Sequence, residues 1–387
     1  MFENETGLLA ALWRLKLRLQ FTGWLQYLPP ALFGLILLMI GLLLWALSLP
    51  LGAALFLGCS GLLLTIFSFD LITVKFRLRP PEPLPGRDEA LDIFDLMRAR
   101  RSCRSFQTRM LSPSHRAALL DAVRRHSAAP TIGPAPIRFE YVNAPLTVWP
   151  VVNGREFLVA IAPRAYDRLA VIDVGRTLQK IVMDATRLGL GTCWIGPGAD
   201  HGSIMHHLGG RFNPEEDHII CVCAVGYKSR YIPLLVRIIN RQLYGRLPLE
   251  KLFFADPDFC RSLPVREAPF NQFGRTYEIC QWAPSSYNGQ TTRCAAGIEE
   301  EEGSRCLTRF DFYTATDSRF YAPVALGIWC ANWELGCEVL GIRGDFKSYS
   351  AAELVLQAQP RADVSWVLAE PLEVAGSEPA AAIRTAG

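Results

Sequence analysis

Three short stretches carry side chains suited to gripping a phosphate or the edge of a planar heterocycle. Arg100-Arg101-Ser102-Cys103-Arg104-Ser105-Phe106 closes a helical run that begins near Ala90. Guanidiniums hold phosphate oxygens through charge-assisted, often bidentate hydrogen bonds, and a hydroxyl beside them adds another donor. A solvated helix end has the same composition. Tyr227-Lys228-Ser229-Arg230 directly follows an apolar strand. Two cations and a hydroxyl at a strand end suit a phosphate monoester, because ligands gather at such ends in α/β folds; the alternative is a basic turn facing water or an anionic membrane surface. Trp282-Ala283-Pro284-Ser285-Ser286-Tyr287-Asn288-Gly289-Gln290 is a Pro/Gly-bounded loop. Its short polar side chains can offer donors and acceptors to a ring edge, or can simply make a turn.

Other chemistries find little support. Asp200-His201 with His206-His207 matches no HExxH or paired-helix metal pattern. No GxGxxG follows a strand and no GxxxxGK[ST] occurs, which disfavours Rossmann and P-loop nucleotide sites. Eleven cysteines stand at irregular spacings without a CxxC pair, so free thiols in a reducing compartment are the simplest reading. Forty basic against 37 acidic side chains give a formal charge of +3, so no global field argues for a nucleic-acid partner.

These stretches must be positioned by the elements between them, and those elements come in two similar sets. Val174-Gly175 and Leu326-Gly327 each open an apolar helical run, and each run closes 14 residues later in a glycine, at Gly189-Leu190 and Gly341-Ile342. Upstream of each run stands an Ala-Pro pair, Ala129-Pro130 and Ala283-Pro284. Strand-like runs over Arg138–Val142, Phe157–Ile161 and His218–Gly226 alternate with helical ones, giving a mixed α and β class. The expected layout is a membrane anchor over 1–78, a linker over 79–89, one half over 90–250, a second over 251–372 and a disordered tail over 373–387. Glu299-Glu300-Glu301-Glu302-Gly303 reads as a solvated loop.

From Phe21 to Phe69 there is no Asp, Glu, Lys or Arg, and two spans of about 20 apolar residues fit, near 29–48 and 52–73. Pro50 would end one helix and Gly52 permit the reversal. Arg14, Lys16 and Arg18 before the spans, and Lys75, Arg77 and Arg79 after them, place both flanks, both termini and the soluble part on the cytoplasmic side of a cell membrane. Residues 7–20 could lie along the membrane surface, and Arg79–Gly86 reads as a semi-rigid extended spacer.

Together with Gly189-Leu190-Gly191-Thr192-Cys193-Trp194-Ile195-Gly196, the three stretches resemble the nitroreductase family, with its R-R-S-x-R start, A-P-S-S-x-N-x-Q loop, G-L-G-T-x-W-I-G after a long core helix and late K-x-R. The resemblance covers roughly residues 90–370. It implies an α+β, three-layer fold that holds flavin mononucleotide (FMN) at a dimer interface. The arginine-serine motif and the basic pair of one subunit would hold the phosphate, and the A-P-S-S-x-N loop of the other would reach the ring.

This chain departs from that pattern in a complementary way. Half one keeps the arginine motif, but its loop reads Ala129-Pro130-Thr131-Ile132-Gly133-Pro134; half two keeps the loop and lacks the arginine motif near Arg266 to Arg275. An intrachain pseudo-dimer would therefore keep one flavin site and need no homodimer to complete it. Arg100, Ser102, Arg104, Lys228 and Arg230 would come from half one, and Ser285, Ser286, Asn288 and Gln290 from half two, with Trp194, Ile195 and Gly196 along the ring. The resemblance further implies a ping-pong oxidoreductase, in which NAD(P)H reduces FMN and a small-molecule acceptor, nitroaromatic or quinone, takes the electrons. The cofactor does the hard step, so no acid–base side chain is assigned. Cys193 is read as packing rather than as a nucleophile. Membrane lipid is the other expected partner. Gln290-Thr291-Thr292 stands where Q-P-W is expected, which keeps open a flavin-binding or structural protein without turnover.

Overall fold

The computed structural model describes residues 21–87, 89–196, 198–242, 245–301, 304–349 and 362–374. The surface helix expected over 7–20, its flanking cations and the tail from residue 375 lie outside them.

Helices α1 (Leu28–Ala46) and α2 (Pro50–Asp70) form the N-terminal hairpin. At 1.5 Å per residue they are about 28 and 32 Å long, so each is long and apolar enough to cross a membrane. Much of their apolar surface faces outward, with Leu51 89%, Trp45 70% and Met39 68% exposed, an arrangement that water would penalise. The facing sides are small. A Cβ on Gly34 or Gly41 would collide with Leu64 or Leu57, and the Ser60 hydroxyl donates to the Gly34 carbonyl at 2.7 Å. The reversal differs from expectation: Ser48 takes the left-handed turn (φ 57°), Pro50 opens α2 rather than ending α1, and Gly52 lies inside α2. Proline is favoured at a first helical position, where its missing N–H has no intrahelical partner to lose.

The expected spacer is a strap. Arg79 pairs with Glu82 at 3.2 Å and donates to the Ser229 hydroxyl at 2.9 Å, the Gln107 amide donates to the Pro83 carbonyl at 3.1 Å, and Gly189 abuts Pro85 and Gly86.

The body follows as α3 (Ile93–Ala99), α4 (Pro113–Ser127), β1 (Arg138–Asn143), β2 (Glu156–Pro163), α5 (Arg168–Arg187), β3 (Gly191–Ile195), α6 (His201–Leu208), β4 (Asp217–Gly226) and α7 (Leu234–Gln242). It continues with β5 (Phe253–Phe254), α8 (Thr276–Gln281), β6 (Thr292–Glu301), β7 (Ser304–Thr314), α9 (Tyr321–Val339), β8 (Gly344–Ser348) and β9 (Val364–Glu373). The first sheet runs β1-β2-β4-β3 and the second β5-β6-β7-β9-β8. All pairings are antiparallel except β5 with β6. Leaving out β5, the two sheets share one connectivity: two strands, a long helix, then two strands in swapped order. The strand runs foreseen around 138–142, 157–161 and 218–226 are β1, β2 and β4. Glu299 and Glu300 belong to β6 rather than to a loop, held there because Glu299 ion-pairs with Arg309 on β7.

The central helices α5 and α9 start earlier than the glycine spacing suggests. Asp167 caps α5 by accepting from the Ala170 N–H at 2.9 Å, so Gly175 and Gly327 sit mid-helix. Their role is close approach: a Cβ on Gly175 would lie 2.2 Å from the Val324 carbonyl oxygen, and one on Gly327 would lie 1.9 Å from that of Ile172. Gly189 (φ 74°) and Gly341 (φ 72°) then end the two helices in the left-handed conformation that glycine adopts without a steric cost. Sheet one packs on α5 through Leu158, Ala160, Cys221 and Cys223. Sheet two packs on α9 through an aromatic core in which Trp333 lies 4.6 Å from Phe310 and 5.4 Å from Phe273, centroid to centroid.

Candidate functional site between the halves

α3 ends at Ala99, and the extended segment after it bridges to β3 through Ser102 and Thr192, which sets Arg100 and Arg104 against the end of sheet one. Arg100 is 5% exposed, and its Nη1 has no hydrogen-bond partner. No carboxylate pairs with it among the described residues. Burial first, then the nearby Arg246 and Arg101, lowers its pKa from the usual guanidinium range to about 10. A buried guanidinium in this state is costly unless an anion meets it. Arg104 donates to the Asn240 amide oxygen on α7 at 2.6 Å, while its Nε, also buried, is unpartnered.

These groups line a cavity of about 1050 Å³, its open mouth included. Half one contributes Arg100, Ser102, Arg104, Trp149, Pro150, Trp194, Ile195 and Gly196. Half two contributes Pro284, Ser285, Ser286, Tyr287 and Asn288, with Tyr321, Val324, Ala325 and Ile328 from α9. Arg246 and Ile239 line it from the connection between the halves. The indole N–H of Trp194 is a further buried donor without a partner. The loop is strained where it meets the cavity, with Tyr287, Asn288 and Gln290 at φ 50°, 56° and 46°. Non-glycine residues hold that region only where the surroundings impose it, often at functional sites.

Of the foreseen residues, Arg100, Ser102, Arg104, Trp194, Ile195, Gly196, Ser285, Ser286 and Asn288 meet here. Lys228, Arg230 and Gln290 do not line the cavity. Lys228 and Arg230 are exposed on the turn after β4, where the strap has taken the anion's place: Glu82 accepts from the Arg230 backbone N–H at 2.5 Å and from the Ser229 hydroxyl at 3.1 Å. Gln290 braces the inter-half connection instead, its side-chain oxygen accepting from the Leu247 N–H at 2.7 Å. The Asn288 amide donates to the Gly245 carbonyl at 2.7 Å and accepts from Arg246.

Arg246 is the cavity-lining cation that motif reading missed. It stands alone in sequence, yet the structure sets it near Arg100 and 5.2 Å over the Trp282 ring, which Arg101 also approaches at 4.8 Å. Cys193 is buried and its thiol pKa is raised by that burial, against the pull of Arg104 and Arg100, so it is a packing residue. All eleven thiols are free.

The mirror position explains why there is one cavity of this kind among the described residues. Superposing Gly175 on Gly327 is a shift of 152 residues, which maps the cavity-lining Val324, Ala325 and Ile328 onto Ile172, Asp173 and Arg176. On that side the space is filled. The Ile132 and Gly133 N–H groups donate to the buried Asp173 carboxylate at 2.9 and 2.8 Å, and Arg176 donates to the Pro130 carbonyl at 2.9 Å. Arg176 and Lys180 both pair with Glu334 at 2.8 Å. A charged network therefore replaces the second pocket.

Two like-connected sheets around a crossed helix pair, with one arginine-lined site between the halves, define an α+β fold of the nitroreductase class. The chain belongs to the nitroreductase family described as "Putative TM nitroreductase", whose family model matches residues 92–299, more than half of its 387 residues. The match takes in the first half and reaches past the Ala283–Gln290 loop. Among solved structures, one described as a "putative nitroreductase" from Thermotoga maritima is 16% identical, with a TM-score of 0.42, over 75% of this chain and 99% of that one. A nitroreductase family protein from Clostridium difficile is 22% identical, with a TM-score of 0.32, over 41% and 95%. A nitroreductase with bound FMN from Bacteroides fragilis is 17% identical, with a TM-score of 0.29, over 36% and 90%. No curated protein matches the chain.

Proposed function

We propose that the protein is an FMN-dependent oxidoreductase held at a membrane by its N-terminal hairpin, with one flavin site per chain. The observation that carries this reading is Arg100, a buried guanidinium without an anionic partner, facing a cavity that both halves of the chain build. The donor set fits a flavin phosphate and ring: Arg100, Arg104 and Arg246 with Ser102 for the phosphate, and Trp194, Ile195, Gly196, Ser285 and Ser286 along the ring. Asn288 and Gln290 act from behind by fixing the Gly245–Leu247 segment that carries Arg246.

When bound, FMN would supply two-electron chemistry between NAD(P)H and a nitroaromatic or quinone-type acceptor. The chain's own residues position and shield. The three guanidiniums fix the phosphate end, Trp194 and the Ser285–Asn288 loop limit the water that reaches the ring face, and Tyr287, Tyr321 and Trp149, all partly exposed, border the mouth through which donor and acceptor exchange. A membrane acceptor is favoured by α7. Its Leu234 N–H donates to Asp70 at the end of α2 (2.7 Å), its Val236 packs on Val74, and its Ile239 lines the cavity, so one helix separates hairpin from pocket. The short uncharged turn of the hairpin and the cations at its other end favour a cytoplasmic body.

Full-length protein purified in detergent should carry a visible flavin spectrum that bleaches on anaerobic addition of NADH or NADPH, and Arg100→Ala with Arg104→Ala should abolish it. Flavin retained by the double variant would overturn the assignment. A second reading, flavin binding without turnover, is favoured by Gln290 lying off the cavity and by the amide of Asn288, which lines it, being engaged with Gly245 and Arg246. A flavin spectrum that neither nicotinamide bleaches would select it.

A further inference from the structure

The hairpin's base carries a cluster of groups that neither the cavity nor the strap uses. Lys75, at the end of the second span, sets its ammonium 4.9 Å over the Trp24 ring. Arg77, two residues on, is exposed with a left-handed backbone (φ 62°). Val74, three residues before Arg77, packs on Val152, three residues before the exposed Arg155 of the body, and the Arg155 charge reaches Arg77. The nearby acids are engaged elsewhere: Glu82 with Arg79 at 3.2 Å, and Asp70 with the Leu234 N–H at 2.7 Å and Arg237 at 3.7 Å. Among the described residues no carboxylate lies within ion-pair distance of Lys75, Arg77 or Arg155.

Beneath this group lie polar atoms with nothing to bond. Tyr27 is 1% exposed, its hydroxyl has no partner, and the charges within electrostatic reach of it are Asp70 first, which Leu234 and Arg237 already engage, then Arg79 and Arg77. Gln26, next in the chain and 1% exposed, leaves both ends of its amide unpaired. A buried hydroxyl or amide without a partner forfeits the hydrogen bonds that water would have given it. Natural folds carry few such groups, and three such atoms on adjacent residues beside unneutralised cations mark a place built for a polar, anionic guest. The opposite end of the hairpin, Leu47-Ser48-Leu49, has no charge at all.

We propose that Lys75, Arg77 and Arg155, with the Tyr27 hydroxyl, form a binding site for the phosphate of an anionic phospholipid headgroup at the cytoplasmic base of the hairpin. The proposal rests on the hairpin reading above and is independent of the flavin. Charge selects the anionic lipid, since each Lys or Arg close to such a surface adds to the attraction. The hydroxyl adds a short-range contact that a diffuse surface field would not supply. The site also pins body to bilayer, because Arg155 belongs to the sheet-one half and Lys75 to the span.

The test uses the full-length chain in mild detergent, titrated with phosphatidylglycerol or phosphatidylcholine and read by native mass spectrometry. Phosphatidylglycerol should be retained at least several-fold better, Arg77→Ala with Arg155→Ala should remove about an order of magnitude of that affinity, and Tyr27→Phe should lower it by a smaller factor. Arg124→Ala with Arg125→Ala, which removes the same charge from exposed α4, should change nothing. Equal retention of the two lipids, or an equal loss in the α4 variant, would overturn the proposal. So would displacement of the lipid by inorganic phosphate, which would make this a site for the free anion. A chain that stays dispersed without detergent would overturn the hairpin reading itself, a result distinct from an inserted chain indifferent to headgroup charge.

Discussion

Arg246 and Glu334 show what single residues decide here. Arg246 was not legible in the sequence, because an isolated arginine in a connection has no pattern; only the fold brings it beside Arg100. Lys228 and Arg230 fit the family's late basic pair, yet the strap's Glu82 meets their turn instead. Replacing Arg246 with Met should weaken FMN binding roughly 10- to 100-fold, the loss of a charged hydrogen-bonding partner, as measured by fluorescence titration of the apoprotein. Glu334 ties the filled mirror site together. Burial raises its pKa, but the Arg176 hydrogen bonds and charge and the Lys180 charge outweigh that and hold it below the ordinary carboxylate value. A depressed carboxyl stabilises above its unfolded pKa of about 4.3 and loses that contribution as pH falls through its folded value. Glu334→Gln should therefore cost about 2 kcal/mol at pH 7, discounted from a fully buried pair because the side chain is 29% exposed. The difference from wild type in urea midpoint should close as pH drops below about 4. A gap that persists into acid would mean the pair does not set the stability.

At the scale of elements, the glycine spacing gave away the repeat but not its reason. Periodicity marks an apolar run; it does not mark where two helices touch, so Gly175 and Gly327 read as helix starts when they are crossing points. The test is a contrast of glycines. Gly327→Ala places a Cβ 1.9 Å from the Ile172 carbonyl oxygen, a backbone atom that cannot yield without moving α5. It should cost about 3 kcal/mol or more and lower the melting temperature of the full-length protein accordingly. Gly61→Ala, in the hairpin, meets nothing within 4 Å and should leave the melting temperature unchanged. The apolar helix pair was plain from its charge-free length and so was the place of its turn, while the roles of Pro50 and Gly52 were misread because Pro50 can as well begin a helix as end one. The linker looked like a free spacer because proline content reports stiffness and says nothing of docking partners far along the chain, such as Gln107 and Ser229.

At the scale of the whole molecule, two like-connected halves carry different parts of the proposed flavin site. Half one carries the arginine motif and half two the loop, a difference legible in the motifs. What was not legible is what stands at the mirror of the cavity wall. Asp173 and Arg176 turn the mirror of the cavity wall into a charged brace against the Ile132–Gly133 loop. The stoichiometry of flavin binding distinguishes a single composite site from its alternatives. Flavin absorbance against amino-acid analysis, on the full-length protein saturated with FMN in detergent, should give one flavin per chain and none in the Arg100→Ala, Arg104→Ala variant. Two flavins per chain would mean that the filled half still binds, one per pair of chains would mean that the site is completed between molecules, and no flavin at all would mean that the cavity serves a different ligand.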